Sequence, residues 1–107
     1  MLLPKITILI PNYNDAEYIG KAIESGLNQD YSGDITICVV DDGSTDDSWK
    51  IISSYFGDRI GEFGSIKVIG IKNENSGPSG ARNAGIEQTI GDTDIYAMLD
   101  SDDEMYP

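Results

Sequence analysis

The chain has no histidine, one cysteine, and seven lysines and arginines against nineteen aspartates and glutamates, a formal net charge of −12. Without histidine there is no imidazole acid–base chemistry and no histidine-based metal site. A single cysteine excludes an intrachain disulfide, and Cys38 lies inside an apolar run, where a buried, inert thiol is expected. Nucleic-acid binding rests on Lys and Arg clusters that this composition does not supply, so no nucleic-acid partner is expected. A phosphate ligand would need a metal bridge or backbone N–H groups. No apolar stretch approaches membrane-spanning length, and the N-terminal run is broken by Pro4 and Lys5 without a small-residue cleavage site. The expectation is a soluble, cytoplasmic chain.

What is present fits one globular domain or part of one: 107 residues, 39% hydrophobic and 24% charged. Four short aliphatic segments read as strands: Lys5 to Ile10, Ile35 to Val40, Ser65 to Ile71 and Ile95 to Leu99. The second and fourth hardly alternate, which predicts burial on both faces. Helical spacing links Tyr18, Ile19, Ala22, Ile23 and Leu27, behind a cap at Asn14 or Asp15. A second helix is expected after Ser44 and Asp47, an acidic relative of the capping box, with Trp49, Ile52 and Phe56 in the core. A third opens near Ser76-Gly77-Pro78, with small residues for close packing on a sheet. Gly57 to Gly64 reads as a glycine-punctuated connection. The order β-α-β-α-β-α-β predicts a twisted parallel sheet with helices on both faces.

Every polar motif then falls at a strand's carboxyl end, where ligands bind in such sheets. These are Pro11-Asn12-Tyr13-Asn14, Asp41-Asp42-Gly43-Ser44, Lys72-Asn73-Glu74-Asn75 and Asp100-Ser101-Asp102. Two of them are acidic clusters abutting buried strands, with no Lys or Arg beside them to offset desolvation. A divalent cation and a ligand with polar hydrogens would make them tolerable. Asp41 could accept from a base N–H or a ribose hydroxyl, with Gly43 allowing the turn; the plainer alternative is a strand-to-helix turn in which Ser44 and Asp47 cap. If extended, Asp100-Ser101-Asp102 aims both carboxylates at one hard cation, Mg²⁺ or Mn²⁺; the alternative is a solvated acidic tail. The loop at Ser76 to Asn83 could present free helix N–H groups to phosphate, with Arg82 as the cationic contact, or be a simple turn. Tyr13 could stack on a nucleobase or pack in the core.

Together, Ile8-Leu9-Ile10-Pro11-Asn12-Tyr13-Asn14, Val39 to Asp46, Gly77 to Ile86 and Met98 to Asp103 resemble the family-2 glycosyltransferases, inverting enzymes of the GT-A fold. The resemblance implies an α/β, Rossmann-like parallel sheet and a nucleoside-diphosphate sugar donor. It puts Pro11 and Tyr13 in the base pocket, Asp41 on the base, and Gly80 and Arg82 beside the nucleotide. It makes Asp100-Ser101-Asp102 the DXD motif, with Asp100 near the ribose and metal-bound water and Asp102 a metal ligand. Such enzymes continue well past this motif. Residues 1–107 are therefore expected to be the donor-binding part of a glycosyltransferase domain, cut after the DXD motif. The general base and any membrane association at the inner face would belong to the missing part, and the acceptor would be a glycan or a lipid-linked glycan. Two other readings are a metal- or phosphate-binding regulatory domain and a nucleotidyltransferase. The first wants acids after the first strand and a late Lys; the second wants a Gly-rich first loop.

Overall fold

The computed structural model describes residues 3–60 and 64–105. Among these residues five strands form one sheet, in the spatial order Gly57–Ile60 (β3), Ser65–Lys72 (β4), Ile35–Asp41 (β2), Ile6–Asn12 (β1) and Ile95–Met98 (β5). Three of the four pairings are parallel: β1 with β2, β2 with β4, and β1 with β5. The α/β architecture expected from the alternating pattern is therefore present.

Two apolar layers hold it together. On one face α1 (Ile19–Leu27) and α2 (Ser48–Ser54) bury Ile19, Ala22, Ile23 and Ile52 against Ile8, Ile10, Ile37, Val39 and Val68. On the other, α3 (Gly77–Thr89) packs Ala81 and Ala84 on Leu9, Cys38 and Val40. A Cβ on Gly85 would stand 2.3 Å from Leu9 Cδ1, so the small residues of α3 do set its close approach. Cys38 is fully buried, and that burial pushes its thiol pKa up to about 11, the inert state expected of it.

Four local expectations are corrected. The segment after Phe56 is not only connection: Gly57–Ile60 forms an antiparallel edge strand, β3, against β4. Charged Asp58 and Arg59 masked it, yet an edge strand tolerates charge. Residues 61–63 of the expected connection lie outside the described residues. Of the two strands expected to be buried on both faces, β2 is; β5 is a sheet edge, and its Ile95 and Met98 are half exposed. Phe56 follows α2 and is 41% exposed, stacked edge-on against a partly buried Trp49 rather than enclosed in the core. Helix starts also shift: α1 begins at Ile19, where the Asp15 carbonyl accepts from the amides of Tyr18 and Ile19, and no side chain caps it.

Chain order explains where a site can form. From β1 the chain moves through α1 to β2 and through α2 to β4 on one side, then returns through α3 to β5 on the other side of β1. Connections leaving in opposite directions open a crevice at the carboxyl ends of β1 and β5.

Candidate functional site

A cleft of about 350 Å³ occupies that crevice. The end of β1 and the loop after it contribute Pro11, Asn12, Tyr13 and Asp15, and the residue just past β2 is Asp42. Asn75 and the first turns of α3 (Gly77, Pro78, Ala81, Arg82) form one wall, and Asp100, Ser101 and Asp102 after β5 form the other. A larger cavity, about 500 Å³, opens at the amino ends of the strands around Thr7, Thr36 and Lys67. It includes no residue of the four motifs.

Five of the seven expected site residues meet in the cleft: Pro11, Tyr13, Arg82, Asp100 and Asp102. Tyr13 is 48% exposed, so its ring is available to a planar ligand rather than spent in the core. Asp41 and Gly80 do not line it. Gly80 sits inside α3, where a Cβ would lie 2.2 Å from Ser76 Oγ, so its service is to let Ser76 fold against the helix. The Asp41 carboxylate is buried and occupied: Asn12 Nδ2 donates to its Oδ1 at 3.1 Å, and the Ser44 hydroxyl donates to the same oxygen. Because a carboxylate only accepts, this bond fixes the Asn12 amide orientation and leaves Asn12 Oδ1 buried without a partner.

Asp42 was the acid that sequence reasoning left without a task. It is 4% exposed, yet it borders the cleft. Its carboxylate accepts from Asn73 Nδ2 at 3.0 Å, from the Ser76 amide at 3.0 Å and from the Gly77 amide at 2.9 Å. The opening amides of α3, expected to face a phosphate, are thus already holding an anion, the Asp42 side chain. The first acidic cluster is tolerated through neutral donors of the protein itself and not through a cation. Gly43 makes this possible with φ +80, a turn that also brings the backbone against Asn75.

The expected Ser44 cap is corrected in the same way. Ser44 points to Asp41 and also accepts from the Asn14 amide at 2.9 Å. Asp46, not Ser44 or Asp47, receives the Ser48 amide at 2.9 Å at the start of α2, and its other oxygen receives the Ala16 amide at 3.1 Å. Slight desolvation raises the Asp46 pKa, while hydrogen bonds from Ser48 and Ala16 lower it by more, so the carboxyl lies below its usual value.

The second acidic cluster is of another kind. The segment does not stay extended: Asp103 N donates to Asp100 O at 3.0 Å, closing a turn. Asp100, Asp102 and Asp103 are exposed, while Ser101 is buried and its hydroxyl donates to Asp15 Oδ2. No group of three His, Cys, Asp or Glu able to hold a metal occurs among the described residues. Asp100 and Asp102 are therefore two donors, which suits a hard cation whose remaining oxygens come from phosphate and water. Of the cleft-lining residues four are aspartates and one, Arg82, is basic. An anionic diphosphate would meet net repulsion here without a cation, so the donor set fits a divalent ion shared with a phosphate ligand.

The sequence model described as glycosyl transferase family 2 matches residues 7–107. The chain belongs to this family. It is 42% identical over 103 residues to an uncharacterized glycosyltransferase of Nostoc sp., covering 96% of this chain and 30% of that protein. Over 103 residues it is 34% identical to the GalNAc(5)-diNAcBac-PP-undecaprenol beta-1,3-glucosyltransferase of Campylobacter jejuni, covering 96% of this chain and 31% of that enzyme. Among solved structures, S. aureus TarS 1-349 in complex with UDP superposes with a TM-score of 0.71 at 29% identity, over 94% of this chain and 28% of that one. The sheet and helices match the GT-A architecture of TarS, and the chain spans about a third or less of the length of each of these proteins. No described helix is long and apolar enough to cross a membrane.

Proposed function

We propose that this chain is the donor-binding part of an inverting glycosyltransferase that takes a sugar from a uridine diphosphate donor. The observation that carries the reading is the meeting of four separate motifs in one cleft, at the place where the strand connections diverge. The UDP bound to the similar TarS structure supports the choice of nucleotide.

In this reading Tyr13 offers its exposed ring to the base and Pro11 supports the base edge. Asp41 acts on the base side through Asn12, whose amide it orients, and Gly80 acts through the shape of the α3 entry. Arg82 reaches the phosphates, Asp100 the ribose side and the metal's water, and Asp102 the metal. Mg²⁺ or Mn²⁺, when bound, supplies Lewis-acid neutralisation of the leaving diphosphate. The protein's own part is to orient the donor between Tyr13 and Arg82. No residue here is assigned as general base, and residues 1–107 are read as the donor portion of a longer glycosyltransferase domain. The acceptor is a glycan or lipid-linked glycan of the cell envelope, met at the cytoplasmic face of the membrane, a choice supported by the undecaprenol-linked substrate in the Campylobacter relative's name.

Titration calorimetry with UDP in the presence and absence of Mn²⁺ tests the reading. Metal-dependent binding is expected. A folded sample that binds no nucleoside diphosphate with either metal would refute it.

A further inference from the structure

We propose that Asp15 is a positioning residue for the metal-binding turn, acting through Ser101. The inference rests on the donor-binding reading above and adds to it a residue outside all the motif roles assigned there.

The turn is held sparingly. Pairing of β5 with β1 ends at Met98, and the Leu99 amide makes the last bond to β1, to the Leu9 carbonyl at 3.0 Å. The next tie from backbone to the body of the protein is Met105 N to Ser25 Oγ, also 3.0 Å. Between these points the Asp103–Asp100 bond and a local Glu104–Asp103 bond stay within the segment. Among the described residues, the Ser101 hydroxyl on Asp15 Oδ2 is the one hydrogen bond joining the turn to another element. Ser101 is 5% exposed while its neighbours on both sides are exposed, so the bond is shielded and its flanking carboxylates are free.

Asp15 is itself well placed to hold a position. Its carbonyl accepts from the amides of Tyr18 and Ile19, both at 2.9 Å, at the start of α1. The preceding residue, Asn14, has φ +53 and is clamped to the loop after β2 by the Thr45 amide on its Oδ1 at 2.8 Å. The position of a rigid helix start is thereby transmitted to the turn that carries Asp100 and Asp102. Two carboxylates on an unheld turn would sample many separations, and a small octahedral ion tolerates few of them.

The test is a double-mutant cycle read by UDP calorimetry with and without Mn²⁺, alongside unfolding midpoints. Ser101→Ala and Asp15→Ala should each weaken Mn²⁺-dependent UDP affinity roughly three- to tenfold. Metal-free affinity should change less, and the double variant should lose no more than either single one. Asp15→Asn keeps an acceptor for the Ser101 hydroxyl and should recover most of the loss. Additive losses, equal losses with and without metal, or Asp15→Asn as poor as Asp15→Ala would overturn the proposal. Wild-type protein that shows Mn²⁺-dependent binding while Ser101→Ala keeps all of it would sink this inference and leave the donor reading standing. Wild-type protein without any metal-dependent binding would sink both.

Discussion

The two acidic clusters look alike as sequence and behave oppositely as structure. Asp41 and Asp42 are 3% and 4% exposed and accept hydrogen bonds from Asn12, Ser44, Asn73, Ser76 and Gly77. Asp100 and Asp102 are exposed, with no such set of donors around them. A carboxylate surrounded by neutral donors is part of the framework, and its ligand is the protein. A carboxylate left in water at the mouth of a cleft keeps its lone pairs for something else. Desolvation, which seemed to demand a cation at both clusters, demands one at neither. The case for a metal rests instead on the charge imbalance of the cleft, four aspartates to one arginine.

Stability measurements can break this contrast. Asp42→Ala should have the largest effect, because it strands the Ser76 and Gly77 amides and the Asn73 side chain. We expect a loss of about 3 kcal/mol in denaturant unfolding; a loss no larger than that of an exposed site would remove Asp42 from the framework. Asp41→Ala should cost about 1–2 kcal/mol, since Asn12 Nδ2 keeps Ser44 Oγ within 3.3 Å as an alternative partner. Asp46→Ala should show itself in the pH dependence. The folded-state pKa of Asp46 is depressed, so its contribution is present above the unfolded value near 4 and disappears as pH falls through the lower folded value. Wild type and variant should differ at neutral pH and converge in acid, and parallel acid limbs would contradict this. The smallest change is expected of Asp102→Ala, within about 0.5 kcal/mol of wild type in stability. That variant should nonetheless lose Mn²⁺-dependent UDP affinity, and retention of it would move the metal elsewhere.

Much of the fold was legible because its signals are local. Apolar runs of six or seven residues bounded by Gly, Asn and Asp marked β1, β2 and β4, and Pro78 with its small neighbours marked α3. The edge strand β3 was not legible, since Asp58 and Arg59 carry no alternating pattern and its pairing with β4 depends on the connection closing back. Phe56 misled for a similar reason: it continues the helical spacing of Trp49 and Ile52, but the helix ends at Ser54. In the site, strand ends and loop chemistry pointed to Tyr13, Arg82, Asp100 and Asp102 and the family resemblance to Pro11, and the structure brings these five into one cleft. Asp15 was read as a helix cap and Asn75 as one residue of the motif after the third strand, so neither was given a site role of its own, yet both line the cleft.

The sequence by itself determined the parallel α/β class, the strand-end placement of the polar motifs, and the exclusion of imidazole and disulfide chemistry. These follow from composition and short-range periodicity, which local sterics and burial translate directly into strands and helices. Only the tertiary structure decided which carboxylates were available. Asp42 is separated by 31 residues or more from each of the groups that bind it, and Asp15 by 86 from Ser101. Hydrogen bonds at such separations depend on which strand ends meet at the diverging connections. Two acidic runs of the same appearance thus became one scaffold and one open site.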